Sequence, residues 1–203
     1  GAAAPVHHMV LPGHAHHAAH DPGAELGSVQ LGLQRRRRVG IALRLQQGRH
    51  VHALSQVAVF KHGGHGKAAG VDAVFCLGTN GEFYIQSEEE KLEVIRIVVD
   101  EVAGRVPVYA GTGCPGTKAT IELSLKAKAL GVDVLSIISP YFAAISQKEI
   151  YEHYKAIAEA VDLPIVMYNM PARTGNNIAP ETCAELAKIP NIAGIKDSSG
   201  NWE

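Results

Sequence analysis

From residue 71 onward, the chain repeats one pattern: a short apolar run, a polar loop and an amphipathic helical stretch. Runs such as VDAVFCLG and VLSIIS are almost continuously apolar, which is typical of strands buried on both faces. Alternation of such strands with helices indicates a parallel sheet with helices outside it, either an open doubly wound sheet or a barrel. The five runs begin near residues 71, 107, 134, 163 and 192.

The helical stretches carry recognisable start and stop signals. Two of them begin with a capping box, in which a serine is followed three residues later by a glutamate. Thr117 opens another predicted helix, and Gly131 is placed to end it because glycine adopts the left-handed conformation at a helix C-terminus. Pro180 opens a short final helix. The capping boxes are Ser87 with Glu90 and Ser146 with Glu149.

Composition sets broad limits on function. The 203 residues have a formal net charge of −1, with 46% hydrophobic and 19% charged residues, as in an ordinary globular protein. This balance gives no argument for binding nucleic acid or a membrane surface. No apolar run approaches the ~18 residues of a membrane span, and no signal peptide is visible. The three widely spaced cysteines predict reduced thiols and therefore a cytoplasmic protein.

Residues 1–66 differ from the rest of the chain. They hold seven basic and two acidic residues, and ten of the eleven histidines. We predict that they form an atypical, poorly ordered segment or do not represent native coding sequence, and that residues 67–203 form the folded unit. The alternatives are a metal-binding histidine cluster, a polyanion-binding arginine run and a short basic helix. These features lie at His14, His16, His17 and His20, at residues 35–38 and at residues 30–47.

Lys196 follows the last apolar run, residues 192–195. A lysine in this place has its stem in the core and its amine at the carboxyl edge of the sheet, where α/β folds place their active sites. Burial disfavours the charged amine and lowers the pKa of a lysine by up to ~3–5 units. A neutral amine is the nucleophile that forms a Schiff base with a keto acid. The alternative is a lysine that marks where the strand reaches solvent.

The loops after the other strands meet at the same edge. They supply glycines, hydroxyls and one guanidinium, a set suited to a carboxylate or oxyanion beside a Schiff-base lysine. Arg173 has a planar fork that fits a carboxylate, whereas Tyr168 is either a proton carrier or a core tyrosine. No dinucleotide, P-loop or zinc-protease motif occurs, and we expect no metal. The candidate set is Gly78, Thr79, Asn80, Tyr141, Tyr168, Arg173 and Lys196.

Five motifs occur in order: GTNGEF, AGTG, SPYF, YNMPARTG and GIKDSSG. From about Ala68 onward, the chain therefore resembles the dihydrodipicolinate synthase / N-acetylneuraminate lyase family of pyruvate-dependent class I aldolases. The resemblance implies a (β/α)8 TIM barrel, assembled as a homotetramer of tight dimers, and no cofactor beyond a covalent imine between pyruvate and Lys196. Tyr168 matches the tyrosine that shuttles protons to the imine. Thr79 matches the threonine that joins this tyrosine in a hydroxyl relay.

The resemblance also assigns substrate contacts. The backbone of Thr79 and Asn80 matches the site for the pyruvate carboxylate, next to Gly78, and Tyr141 belongs to the matching SPYF motif. Arg173 resembles the arginine of the synthase branch, which holds the carboxylate of the second substrate. That branch joins pyruvate to the aldehyde of aspartate semialdehyde in lysine and diaminopimelate synthesis.

Two residues depart from the synthase pattern. Asn80 stands where a second threonine is usual, and Phe142 stands where a second tyrosine is donated across the dimer into the relay. A phenyl ring passes no proton. The alternative function is therefore a 2-keto-3-deoxy-sugar-acid aldolase or an N-acetylneuraminate lyase-like enzyme, against which Arg173 argues.

The recognised strands correspond to about strands 2 to 6 of such a barrel. A complete barrel needs eight strands and ~250 residues. We therefore expect an incomplete barrel with an open sheet edge and an exposed core face. The alternative outside enzymes is an inactive fragment with a metal- or polyanion-binding tail.

Overall fold

The computed structural model describes residues 8–10, 58–60 and 71–201. These parts of the chain form seven strands, five α-helices and two 3-10 turns. The strands are β1 (His8–Val10), β2 (Ala58–Phe60), β3 (Ala73–Cys76), β4 (Val108–Gly111), β5 (Val134–Ile138), β6 (Ile165–Asn169) and β7 (Ile192–Asp197). The helices are α1 (Glu88–Val102), α2 (Thr117–Ala129), α3 (Gln147–Ala160), α4 (Pro171–Thr174) and α5 (Pro180–Leu186), and the 3-10 turns are Thr79–Gly81 and Phe83–Ile85.

All seven strands belong to one sheet, in the order β1-β7-β6-β5-β4-β3-β2. The five strands from β3 to β7 are parallel neighbours joined by helical crossovers, so the predicted alternation is confirmed. β2 pairs with β3 and β1 pairs with β7, both antiparallel. The described sheet is therefore not closed into a barrel, and its two edges lie at the three-residue strands β1 and β2.

The predicted helix signals are also present as hydrogen bonds. The Ser87 hydroxyl accepts from the Glu90 amide at 3.2 Å, and the Glu90 carboxylate accepts from the Ser87 amide at 2.8 Å. The same reciprocal pair, formed by Ser146 with Glu149, begins α3. Gly131 follows α2 with φ +91°, the left-handed conformation that glycine adopts at low cost.

The main core lies between the parallel strands and the helices. Val74 and Cys76 of β3, and Leu135 and Ile137 of β5, all point to this side and are at most 2% exposed. Each fully buried aliphatic side chain of this kind contributes about 1.5–3 kcal/mol to the free energy of unfolding. The helices supply the facing residues, which include Ile95, Ile150, Tyr154 and Ile157.

The other side of the sheet forms a second, smaller cluster. Phe75, Tyr109 and Val166 lie on three different strands and pack against one another there. All three are at most 9% exposed, so the expectation of an exposed core face is wrong for these residues. In a (β/α)8 barrel this side is the interior, which is filled by layers of side chains from neighbouring strands.

Several predicted features lie outside the described residues. They are the histidine cluster from His14 to His20, the arginine run at 35–38 and the basic helix at 30–47. Among the residues that are described, no helix combines the length and apolarity that a bilayer crossing requires.

Candidate active site

Lys196 reaches the inner side of the sheet because of an irregularity in the pairing of β6 with β7. Ile165 lies opposite Ile192, but the next residue, Val166, lies opposite Gly194. β7 therefore contains one extra residue, Ala193, as in a β-bulge, which commonly re-aims a side chain near an active site. Beyond this bulge, Lys196 lies opposite Tyr168.

The Lys196 amine lies over the face of the Tyr168 ring. Its Nζ is 3.5 Å from the ring centroid and donates to the Ser198 hydroxyl at 3.2 Å. Lys196 is 6% exposed and Tyr168 is 3% exposed. The Lys196 amine and the Tyr168 ring therefore lie side by side at the same depth in the sheet, as predicted.

Burial changes the acid–base properties of this amine. Desolvation is the largest cause and lowers the pKa of Lys196 from 10.5 to about 7, while the nearby Asp197 carboxylate acts in the opposite direction. The shift follows from the cost of holding an unsolvated ammonium ion. A large fraction of the amine is thus neutral, and nucleophilic, at neutral pH.

Two further side chains surround the Tyr168 hydroxyl. The Thr79 Oγ1 lies 3.3 Å from it, and the hydroxyl donates to the Met170 sulfur at 3.0 Å. Burial raises the pKa of Tyr168, and the hydroxyls of Thr79 and Ser198 partly offset this effect. Tyr168 therefore keeps its proton at neutral pH and has hydroxyl neighbours with which to exchange it.

The turn that carries Thr79 begins at a strained position. Leu77 has φ +59° although it is not glycine, and its carbonyl faces the next strand. A Cβ on Gly111 would lie 2.1 Å from that carbonyl oxygen, so only glycine fits at the end of β4. Gly78 is partly buried and Asn80 is exposed. Thr79 and Asn80 open a 3-10 turn, whose first N–H groups have no partner within the turn.

The remaining predicted residues lie in the segments that follow β5 and β6. Arg173 is exposed on α4, a short helix that the sequence interpretation missed although Pro171 and Gly175 bracket it. Tyr141 is partly buried and packs edge-on against Phe83, with ring centroids 6.1 Å apart. Phe142 is 99% exposed with φ +83°.

A polar cluster behind the amine was also missed. The Asn169 amide donates to Asp197 at 2.7 Å and to the Asn177 side-chain oxygen at 2.9 Å, and Ser199 holds the second Asp197 oxygen. The only signal in the sequence was a polar residue directly after each strand-end candidate, Asn169 after Tyr168 and Asp197 after Lys196. These contacts fix the carboxyl ends of β6 and β7 relative to each other.

A second missed residue joins two of the loops. Asn176 is 4% exposed, and its amide donates to the carbonyls of Pro140 and Ala143, both at 2.8 Å. Its side-chain oxygen accepts from the Ile145 amide at 3.0 Å. Asn176 thus holds the loop that carries Tyr141 against the loop that carries Arg173.

The fold and this group of side chains define a parallel α/β barrel-type sheet with a buried amine at the carboxyl end of a strand. The family model for the dihydrodipicolinate synthetase family matches residues 51–203. The chain belongs to that family.

Named relatives agree with this assignment. The chain is 47% identical over 134 residues to a 4-hydroxy-tetrahydrodipicolinate synthase of Methylococcus capsulatus, which covers 66% of this chain and 46% of the relative. A synthase of the same name from Caldicellulosiruptor bescii is 51% identical over 130 residues, covering 64% of this chain and 44% of that protein. The chain therefore spans less than half the length of these curated relatives.

A solved structure shares the fold. The dihydrodipicolinate synthase from Acinetobacter baumannii, complexed with pyruvate, superposes with a TM-score of 0.64 at 44% identity. The match covers 65% of this chain and 45% of that one. The five parallel strands and their helices thus correspond to part of a TIM barrel.

Proposed function

We propose that this chain carries the imine-forming site of a 4-hydroxy-tetrahydrodipicolinate synthase, with Lys196 as the nucleophile for pyruvate. One observation carries the proposal: the Lys196 amine is buried over the Tyr168 ring, with its pKa lowered to about 7. About half of such amines are neutral at pH 7, compared with fewer than about one in a thousand for an ordinary lysine.

The reaction begins when Lys196 attacks the carbonyl carbon of pyruvate, and loss of water gives the imine. Tyr168, in contact with Thr79, carries the protons that these steps consume and release. Loss of a methyl proton then gives an enamine, which attacks the aldehyde carbon of aspartate semialdehyde. Cyclisation releases the product by transimination and restores the free amine.

The carboxylates of the two substrates have separate partners in this proposal. The N–H groups of Thr79 and Asn80, beside Gly78, bind the pyruvate carboxylate, because orphan amides at the start of a turn favour anions. Arg173, on the exposed side of α4, binds the carboxylate of aspartate semialdehyde. Tyr141 lines the mouth between them.

Borohydride trapping tests the proposal directly. The protein is incubated with pyruvate, reduced with borohydride and digested, and mass spectrometry locates the adduct. We expect the reduced adduct on Lys196 and none in Lys196→Arg, because an arginine stays protonated. Lys188, whose side chain is 69% exposed, serves as the internal control without adduct. Folded protein without an adduct on Lys196 would overturn the proposal and favour the non-catalytic alternative.

One observation favours a second candidate, a 2-keto-3-deoxy-sugar-acid aldolase. Phe142 places no hydroxyl in the relay, and its ring is 99% exposed. The experiment measures how fast the pyruvate adduct on Lys196 is consumed by aspartate semialdehyde and by an aldose such as glyceraldehyde. Faster discharge by aspartate semialdehyde, lost in Arg173→Ala, supports the synthase; faster discharge by glyceraldehyde supports the second candidate.

We also propose that the whole protein acts in the cytoplasm as a homo-oligomer of tight dimers. Tyr84, Ile85 and Phe142 support this, because they are large hydrophobic side chains that are 56%, 69% and 99% exposed. Light scattering of Phe142→Ser tests it, since a smaller assembly than that of the unchanged protein is expected.

A further inference from the structure

Met170 occupies an unusual position beside the two hydroxyls of the relay. Its sulfur accepts from the Tyr168 hydroxyl at 3.0 Å and from the Thr79 hydroxyl at 3.4 Å, while these two oxygens are 3.3 Å apart. The three atoms therefore form a closed triangle. When Tyr168 donates to the sulfur, Thr79 can donate to the Tyr168 oxygen.

The surrounding structure holds the sulfur in place. Met170 precedes α4, and its carbonyl accepts from the amides of Arg173 at 2.9 Å and Thr174 at 3.0 Å. The residue is partly buried, whereas Met167 of β6 is 1% exposed. Of these two methionines, Met170 is thus the one that a small oxidant reaches.

A thioether is a weak hydrogen-bond acceptor, whereas a sulfoxide oxygen is polar and accepts strongly. The thioether holds the Tyr168 proton loosely and gives it up when an imine forms nearby. A sulfoxide oxygen on the same sulfur would enter the space between the two hydroxyls. It would retain the Tyr168 proton and separate Tyr168 from Thr79.

We propose that Met170 is an oxidation site whose oxidation switches off the Tyr168–Thr79 relay, an inference that rests on the proposed function. The oxidant is a peroxide: its O–O bond breaks, one oxygen forms an S–O bond with the sulfur, the sulfur is oxidised by two electrons, and hydrogen peroxide is reduced to water. Enzymatic reduction of the sulfoxide restores the thioether. Met170 acts through Tyr168 and is a positioning residue.

The test combines peptide mapping with the rate of pyruvate adduct formation on Lys196. After hydrogen peroxide treatment, we expect sulfoxide at Met170 and little at Met167. The adduct rate should fall on the order of 100-fold, the scale of one general acid–base contribution. Methionine sulfoxide reductases with a thiol should restore the rate, and the thiol alone should not. In Met170→Leu, peroxide should change the rate by less than about twofold relative to the same variant untreated.

Oxidation of a cysteine is the competing explanation for a fall in the adduct rate. The control with thiol alone distinguishes it from oxidation of Met170. Burial raises the pKa of Cys114 and of Cys183, which leaves little reactive thiolate. Full oxidation of Met170 with an unchanged adduct rate would overturn the proposal, as would recovery with thiol alone.

A separate comparison tests the hydrogen bond between Tyr168 and Met170 without measuring the reaction of Lys196. Tyr168→Phe removes the donor from the sulfur, so Met170 should oxidise several-fold faster in this variant, and equal rates would refute the hydrogen bond. Untreated protein that forms no adduct would overturn the proposed function, and this comparison would still decide the Met170 contact.

Discussion

The Asn169 side chain donates a hydrogen bond to the Asp197 carboxylate at 2.7 Å, one residue beyond the opposed pair Tyr168 and Lys196. Asn169 and Asp197 lie on the helix side of β6 and β7, whereas Tyr168 and Lys196 lie on the inner side of the same two strands. The polar pair on the helix side therefore fixes the spacing of the reactive pair on the inner side.

Asn169→Ala should lower the free energy of unfolding by about 2–3 kcal/mol, because it removes a hydrogen bond to a charged group and leaves the buried Ile178 amide without its acceptor. Urea titration measures this change. Lys118→Ala is the control, since the Lys118–Glu122 ion pair is 3.8 Å long and the lysine is 90% exposed. It should cost less than about 0.5 kcal/mol. Equal losses in both variants would contradict the role of Asn169.

The rate of pyruvate adduct formation should depend on pH through Lys196. With a pKa lowered to about 7, the neutral fraction rises about tenfold per pH unit below pH 7 and levels off above it. Borohydride trapping at timed intervals, repeated between pH 5.5 and 9, gives the rate of adduct formation as a function of pH. A rate that still climbs tenfold per unit at pH 9 would mean an ordinary lysine pKa and would refute the role of burial.

Gly111→Ala should destabilise the fold strongly. The new Cβ would lie 2.1 Å from the Leu77 carbonyl oxygen, a backbone atom that cannot rotate away, and the cost should be about 3 kcal/mol. Gly116→Ala is the matched control, because a Cβ there meets nothing within 4 Å. It should cost less than about 1 kcal/mol. Thermal unfolding of the two variants separates the contact from the general effect of replacing glycine.

His153 should make stability depend on pH. Burial lowers the pKa of His153 from 6.5 to about 4, and the ring bonds to the Thr117 hydroxyl at 2.9 Å. Between these values the unfolded chain binds a proton that the folded chain does not, so stability falls as pH falls from 6.5 to 4, by about 3 kcal/mol. His153→Gln should remove this part of the pH dependence in urea titrations at pH 7 and pH 4.5. An equal loss of stability between pH 7 and pH 4.5 in the variant and in the unchanged protein would contradict this role of His153.

The parallel strands and long helices could be predicted because their signals are local. Continuous apolar runs and capping boxes need only neighbours in sequence, and Ser87 with Glu90 formed the bonds that their spacing indicated. β1 and β2 lacked such signals, because three-residue strands at an edge are selected by the strand that they pair with.

The candidate site was predictable in part for the same reason. Tyr168 and Lys196 each lie one residue before the end of successive strands, so parallel pairing places them together. The contacts of Met170 and Asn176 depend on how loops from different strands fold over one another. No spacing in the sequence reports that, and these residues became visible only with the three-dimensional structure.

The extra residue in β7 has a wider consequence. If β7 paired without the bulge, Ala193 would lie opposite Val166 and Ile195 opposite Tyr168, so Lys196 would project among the helices. A shift of β7 by one residue would thus retain every reactive group of the chain and still remove the nucleophile from the inner side of the sheet. Such a shift changes no residue of the chain, so a comparison of sequences alone would not reveal the loss.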